Sequence, residues 1–355
     1  MKKYDFAIIG AGPAGSTLAR ELAIRKPSCS ILLVDASKEE RGKVCGGLLS
    51  PDAQRLMALS GLTVPKSVLS EQQIFAVDTI DLSAQIHRVY QRHYLNMDRY
   101  AFDRYLVSLI PSSVEILKSR CSSIRASQDG FSLKLVIDGK EEEVGATSVI
   151  GADGAGSIVR RSLFADKADK IERAVAYQEW FLTGGKDRLP SYSCIFDKKT
   201  SRHCSWTVRK GEYLILGGVF DKDGFRERFA EQKARLLAYL GEELPEPAKV
   251  ESCFVCHPKH RRDIILGKCG AYLVGEAAGF ISPSSYEGIG NAMQSAISLA
   301  EALASGKGEK ECLKKYKRLT RGQRRAVRIK VYKRFLLFTP FTRRIIMKSG
   351  ITAIK

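Results

Sequence analysis

Tyr4-Asp5-Phe6-Ala7-Ile8-Ile9-Gly10-Ala11-Gly12-Pro13-Ala14-Gly15 is the stretch that decides the fold. Its first six residues are apolar apart from Asp5 and read as a short buried strand. From Pro13, Leu18, Leu22 and Ile24 recur at helical spacing until Lys26-Pro27 ends the pattern. Between strand and helix, Gly10 permits a tight turn, Gly12 lets backbone approach a pyrophosphate, and Gly15 allows close helix–strand packing. Pro13 and Ala14 open the helix, whose free N–H groups and partial positive charge suit phosphate. A second apolar strand, Ser30-Ile31-Leu32-Leu33-Val34, ends in Asp35, twenty residues beyond Gly15. A carboxylate at that spacing accepts hydrogen bonds from an adenosine ribose. These residues predict a dinucleotide site and leave NAD and FAD equally open.

Two more glycine-rich stretches lie far downstream: Gly151-Ala152-Asp153-Gly154-Ala155-Gly156-Ser157 and Leu273-Val274-Gly275-Glu276-Ala277-Ala278-Gly279. Each follows an apolar run, so each is expected at a strand end. Around them, Ser50-Pro51 starts a helix, Phe75–Tyr94 alternates as strands do, and Asp98 N-caps a helix carrying Phe102, Leu106 and Leu109. Strands near Ser132–Ile137 and Glu142–Val144 flank the turn Asp138-Gly139. Residues 172–220 and 249–257 are strand-rich, and Arg226–Leu240 and Gly288–Ala304 read as helices.

With 355 residues the chain can hold two interlocked domains. Met1-Lys2-Lys3 leads directly into the first strand, so no secretory leader is read. No apolar run approaches the roughly 18 residues of a membrane span. Nine cysteines without framework spacing fit a reducing cytoplasm. The net charge of +19 is concentrated: residues 307–348 hold sixteen Lys or Arg against two Glu. Apolar residues interleave with these charges, among them Leu313, Tyr316, Leu319, Val327, Ile329, Phe335 and Phe338. That mixture suits an anionic membrane surface, where each basic residue contributes roughly 1 kcal/mol. No base-reading or stacking elements accompany it, so nucleic acid is not the expected partner. The expected location is cytoplasmic, peripheral on the inner membrane face.

Gly151–Ser157 with Ile158-Val159-Arg160, Asn291, and Asp98-Arg99-Tyr100-Ala101-Phe102-Asp103 resemble the flavoprotein superfamily of p-hydroxybenzoate hydroxylase. Within it, Lys43-Val44-Cys45-Gly46-Gly47, Arg99 with Phe102-Asp103, Pro283, Glu287-Gly288-Ile289 and Ala292-Met293 resemble the geranylgeranyl reductase family. The resemblance covers most of residues 1–305. It implies an α/β fold: a Rossmann-like FAD-binding domain, an interwoven antiparallel β-sheet substrate domain, and C-terminal helices. The FAD-binding domain is expected over 1–72, 98–168 and 262–305, and the substrate domain over 73–97 and 169–261. A basic helical segment is expected over 306–355.

The resemblance further implies that Asp153 and Gly154 help to hold the FAD pyrophosphate region, and that Gly275–Ala278 meets the ribityl chain. Gly288 and Ile289 would set a helix start beside the flavin's pyrimidine edge, where reduced flavin carries negative charge. Arg41, Lys43, Cys45, Gly46, Gly47, Arg99 and Pro283 complete the implied cofactor contacts, with Cys45 facing the flavin's substrate side. Glu276 stands where the family has Asp, so its longer side chain must reach the same hydroxyls or bind them differently. The family's Tyr-x-Trp-x-Phe-Pro stretch survives in Cys204-Ser205-Trp206-Thr207-Val208-Arg209 only as Trp206, and the related halogenase pattern, Trp-x-Trp-x-Ile-Pro, is not matched.

Cys45, beside Lys43, Arg41 and glycine backbone, is a candidate proton donor or acceptor, or else a small residue filling a tight loop. Trp206 is the candidate for a substrate-pocket wall. Cys253-Phe254-Val255-Cys256-His257 matches the spacing of haem attachment, but covalent haem needs export. Strand alternation aims Cys253 and Cys256 at opposite faces, which opposes a zinc site. No metal is expected.

The expected activity is reduction of a carbon–carbon double bond in a hydrophobic or lipid substrate by reduced FAD. A single dinucleotide motif implies an external reductant, such as NAD(P)H. A hydroxylase of the same fold and a non-catalytic flavin-binding protein at a membrane surface are the alternatives.

Overall fold

A computed structural model describes residues 1–37, 43–168, 171–185, 189–260, 263–306, 308–351 and 353–354. The chain forms two compact units, Met1–Gly42 with Phe102–Glu172 and Cys256–Ile329, and Lys43–Ala101 with Arg173–Val255 and Lys330–Lys355.

In the first unit, parallel strands lie in the order Ala271–Leu273, Lys140–Gly151, Lys3–Ile9, Ile31–Asp35 and Val114–Lys118. Parallel strands are covered on both faces, which is why Ile31–Asp35 is apolar up to its last residue and buried throughout. Strands Arg120–Ser127 and Gly130–Ile137 extend this sheet antiparallel from Lys140–Gly151. Asp138 and Gly139, at φ 48° and 82°, supply the left-handed backbone of a two-residue hairpin. Helices Pro13–Arg25 and Ile289–Leu303 pack together, with Leu18, Leu22, Ala296 and Leu299 in one core.

The other sheet, eight strands among the described residues, runs Lys249–His257, Glu172–Leu182, Tyr213–Phe220, Ser205–Lys210, Tyr192–Phe196, Ile74–Asp81, Ile86–Asn96 and Leu48–Leu49. Tyr192–Phe196 lies parallel to Ile74–Asp81, and the ladders on either side of that pair are antiparallel. Helix Phe225–Leu240 covers it through Phe229 and Leu236, which meet Tyr177, Phe181 and Phe220.

The units cut the chain differently from the expected boundaries. Residues 43–72 cluster with the second unit because Leu48 and Leu49 pair with Asn96 and Leu95, and Leu69 bridges Met97. The basic C-terminus is helical, over Gly308–Leu319, Arg321–Phe338 and Pro340–Ser349, yet it is shared between the units. Tyr316 and Val327 do not serve a lipid-facing surface. Both are buried in the first unit's core, and the Tyr316 hydroxyl donates to the Leu273 carbonyl at 3.0 Å.

Candidate functional site

In the first glycine turn, steric room alone dictates residue type. Gly10 has φ +102°, and a Cβ there would lie 2.7 Å from the Ala152 carbonyl oxygen. A Cβ on Gly15 would lie 1.8 Å from the Gly10 carbonyl, so the helix could not approach the strand. Gly12 differs: among the described residues nothing lies within 4 Å of its virtual Cβ. Open backbone there, at the start of helix Pro13–Arg25, leaves N–H groups free to meet an anion.

Asp35 closes the next strand as the spacing predicts. Its Oδ1 accepts the Ser37 N–H at 3.0 Å, and its Oδ2 accepts Lys118 at 2.7 Å and Arg104 at 3.0 Å. Burial works to raise its pKa, but the hydrogen bonds from Lys118 and Ser37 and the Arg104 charge outweigh it and hold it at about 2. Asp35 is therefore an ionised acceptor at neutral pH.

The second and third glycine stretches are clasped by a residue to which the motif reading assigned no role. Arg160 is fully buried, and its guanidinium donates to the carbonyls of Ala155 at 2.6 Å, Ala277 at 3.0 Å and Glu276 at 3.3 Å. Glu276, the residue one methylene longer than the family's Asp, is buried. Its Oε1 accepts the Cys256 N–H at 2.9 Å, and its Oε2 lies 3.7 Å from where a Gly154 Cβ would be. Cys256 is buried in this contact while Cys253 is half-buried, as strand alternation requires. Asp153 Oδ2 accepts the Ile158 N–H at 2.6 Å. Its Oδ1 is buried with no hydrogen-bond partner among the described residues. Burial pushes the Asp153 carboxyl above its ordinary range against the bonds its neighbours donate. Gly275 and Ala277 lie in the short helix Gly275–Ala278, with the Gly275 N–H bound to Ser295 Oγ at 2.9 Å. Pro283 is buried in the turn leading to Gly288, which caps helix Ile289–Leu303.

These first-unit residues fit a flavin dinucleotide. Gly12 offers open backbone at a helix start, Asp35 an ionised acceptor, and Asp153 Oδ1 a buried acceptor of the kind a sugar hydroxyl satisfies. The start of a long helix at Ile289 offers N–H groups to a developing anion.

A separate cluster belongs to the second unit. Trp206, Val208 and Lys210 share one face of strand Ser205–Lys210 by alternation. A Cβ on Gly46 would touch Val208 at 3.3 Å and Trp206 at 3.7 Å, so Lys43–Gly47 lies against that face. Cys45 Sγ accepts the Gly47 N–H at 3.4 Å. Lys210 Nζ donates to the Gly47 carbonyl at 2.9 Å, the Met97 carbonyl at 2.8 Å and the Asn96 amide oxygen. Burial draws the Lys210 pKa down to about 7, with Cys45 and Asp98 acting in the opposite direction. Asn96 is itself fixed by donating to the carbonyls of Arg209, Gln72 and Glu71. Gly217 faces Trp206 on the next strand, and a Cβ there would lie 2.8 Å from the indole. The Trp206 Nε1 is buried without a partner among the described residues.

The expected cofactor residues thus divide. Gly10–Gly15, Asp35, Asp153, Gly154, Gly275–Ala277, Pro283, Gly288 and Ile289 belong to the first unit, while Lys43–Gly47, Arg99 and Trp206 belong to the second. Arg99 begins helix Arg99–Ser108, whose predicted cap holds: Asp98 Oδ1 accepts the Ala101 N–H at 2.7 Å. Arg41 lies outside the described residues. Motif matching passed over Lys210 and Asn96. The alternation 206, 208, 210 was the available signal for Lys210, whereas nothing local marks Asn96.

Fold and site together define a flavoprotein. Residues 3–330 match the family model described as FAD binding domain, and the chain belongs to that family. Among named relatives, Protein CbrA of Escherichia coli O6:H1 is 41% identical over 360 residues, covering 100% of this chain and 95% of that protein. A geranylgeranyl bacteriochlorophyll reductase-like protein from Thermoplasma acidophilum shares the fold, with TM-score 0.80, 19% identity, and coverage of 96% of this chain and 88% of that one. The p-nitrophenol 4-monooxygenase PnpA of Pseudomonas putida shares it with TM-score 0.73 and 15% identity, covering 99% and 94% of the two chains.

Proposed function

We propose that this protein is an FAD-dependent reductase that saturates a carbon–carbon double bond in a hydrophobic substrate, isoprenoid lipid in class. The observation that carries the reading is the Lys43–Gly47 loop, in which Gly46 lies against Trp206 and Val208 and the neighbouring Cys45 thiol accepts the Gly47 N–H. That arrangement combines a transferable proton with an apolar wall, and alkene reduction needs both.

When bound and reduced by an external donor such as NAD(P)H, FAD would supply the hydride equivalent. The first unit would bind and orient it: Gly12, helix Pro13–Arg25 and Asp153 would hold the pyrophosphate region, Asp35 the ribose, and the Gly275–Ala278 turn the ribityl chain. The helix start at Gly288 and Ile289 would offer backbone N–H groups to negative charge on a bound, reduced flavin. In the second unit, Cys45 delivers the proton and Trp206 excludes water from the alkene. Lys210 holds the backbone at Gly47, and so holds the loop that carries Cys45.

Anaerobic reduction followed by a screen of lipid acceptors tests this. The purified protein is expected to be yellow, to bleach with reductant, and to regain colour with a polyprenyl acceptor whose product gains two hydrogens. A product that gains one oxygen in air would replace reduction by hydroxylation. A colourless protein that FAD cannot reconstitute would remove the flavin reading altogether.

A further inference from the structure

We infer that the C-terminal helices of the second unit form a docking surface for an anionic lipid bilayer. This goes beyond the redox reading and does not depend on it. Of the eighteen exposed large apolar side chains among the described residues, eight fall between Tyr332 and Ile354. Scattered single apolar residues are ordinary on a surface, but this concentration is not.

Their placement follows from how helix Pro340–Ser349 is held. Arg343 and Met347, one turn apart, are its buried residues. Arg343 Nε donates to Asp81 Oδ2 at 2.7 Å, with both side chains buried, and Nη1 donates to the Leu337 carbonyl at 2.8 Å. The guanidinium also lies 4.7 Å from the Phe196 ring centroid, and Phe338 packs on the same ring at 5.5 Å. Beyond the helix, the Ile354 N–H reaches the Val89 carbonyl at 2.8 Å. This end of the chain is therefore fixed to its unit. Two residues away from each inward position, Phe341 and Ile345 fall on the opposite side and are 73% and 55% exposed. On helix Arg321–Phe338, Tyr332, Phe335 and Leu336 share a face at 70%, 72% and 47% exposure.

Charge selects the occupant. Residues 330–355 carry seven Lys or Arg and no Asp or Glu. Lys333, Arg344 and Lys348 are exposed among the apolar residues. A second copy on the same face would set this charge against itself, and nucleic acid would leave the Phe and Ile side chains without use. An anionic bilayer surface satisfies both, because apolar side chains enter the headgroup boundary while cations meet lipid phosphate. No helix among the described residues is long and apolar enough to cross a membrane, so the contact is a surface one.

The test is vesicle flotation of the full chain with phosphatidylcholine alone and with an equimolar mixture of phosphatidylcholine and phosphatidylglycerol. Binding is expected to the mixed vesicles only, and to fall in molar salt. Each Lys or Arg at such a surface strengthens binding roughly fivefold. The triple variant Lys333→Glu, Arg344→Glu, Lys348→Glu is therefore expected to bind on the order of a hundredfold more weakly. Phe341→Ser with Ile345→Ser is expected to lose flotation while retaining its thermal unfolding midpoint. Undiminished binding by both variants, or equal behaviour of the unaltered chain toward both vesicle types, overturns the proposal. So does a solution dimer that Phe341→Ser with Ile345→Ser converts to monomer. If either variant fails to fold, the lipid and salt dependence of the unaltered chain decides.

Discussion

The Glu276 carboxylate accepts the backbone N–H of Cys256 at 2.9 Å, tying the third glycine stretch to the end of strand Lys249–His257. One extra methylene therefore turns this acid toward a neighbouring strand. Glu276→Asp is expected to forfeit that bond and to lower stability by roughly 1.5–3 kcal/mol, the range for hydrogen bonds to charged groups. Glu276→Gln keeps a carbonyl oxygen in place and should cost less. Urea unfolding of the three proteins measures the difference; an Asp variant as stable as the parent contradicts it.

Arg160 satisfies carbonyls on both sides of the same junction, at Ala155, Glu276 and Ala277. Arg160→Met fills much of the volume but leaves the Ala277 carbonyl without its donor, at about 1–3 kcal/mol, while the Ala155 and Glu276 carbonyls keep the Cys256 thiol and the Gly279 N–H. We expect a marked fall in the unfolding midpoint together with weaker FAD retention on gel filtration. Arg160→Lys should rescue only part of it, because a point-like ammonium cannot span the same acceptors. Unchanged retention in Arg160→Met would show that the clasp is not needed for the cofactor.

Asp35 contributes stability that depends on pH in a definite direction. Its folded pKa of about 2 lies below the ordinary 3.8, so the contribution is complete above the ordinary value and disappears as pH falls through the folded one. The shift corresponds to roughly 2 kcal/mol. Asp35→Asn should therefore narrow the stability gap to the parent between pH 4 and pH 2, about the interval between the two pKa values. A gap that stays constant over that interval would mean the ion pairs with Lys118 and Arg104 contribute nothing.

Lys210 Nζ has acceptors in Gly47, Met97 and Asn96, which hold the Cys45 loop to the sheet. Lys210→Met should release that loop and raise the alkylation rate of Cys45 several-fold, followed by peptide mass mapping. The buried Cys312, in the other unit, serves as the internal control and should not change. Equal rates at Cys45 in both proteins would remove the holding role.

Local pattern made much of this molecule legible. The apolar run before Gly10, the helical spacing after Pro13 and the position of Asp35 depend on neighbours within one strand–turn–helix, where backbone geometry and periodicity act. The hairpin at Asp138-Gly139 and the Asp98 cap were readable for the same reason. Less legible was the basic C-terminus, where Tyr316 and Phe335 look alike in sequence. Only packing separates them: Tyr316 finds the Leu273 carbonyl in a core, and Phe335 remains exposed.

The sequence by itself determined that this chain carries a dinucleotide-binding turn and two further glycine stretches of flavoprotein type, because those features are short-range requirements on residue size and backbone freedom. Tertiary structure alone decided what clasps them and which residues share a cluster. Arg160 meets Glu276 across 116 residues of sequence, and Lys210 meets Gly47 across 163. No local spacing encodes such partners; they exist because each unit folds distant segments of its own chain together, where buried polar groups must find one another.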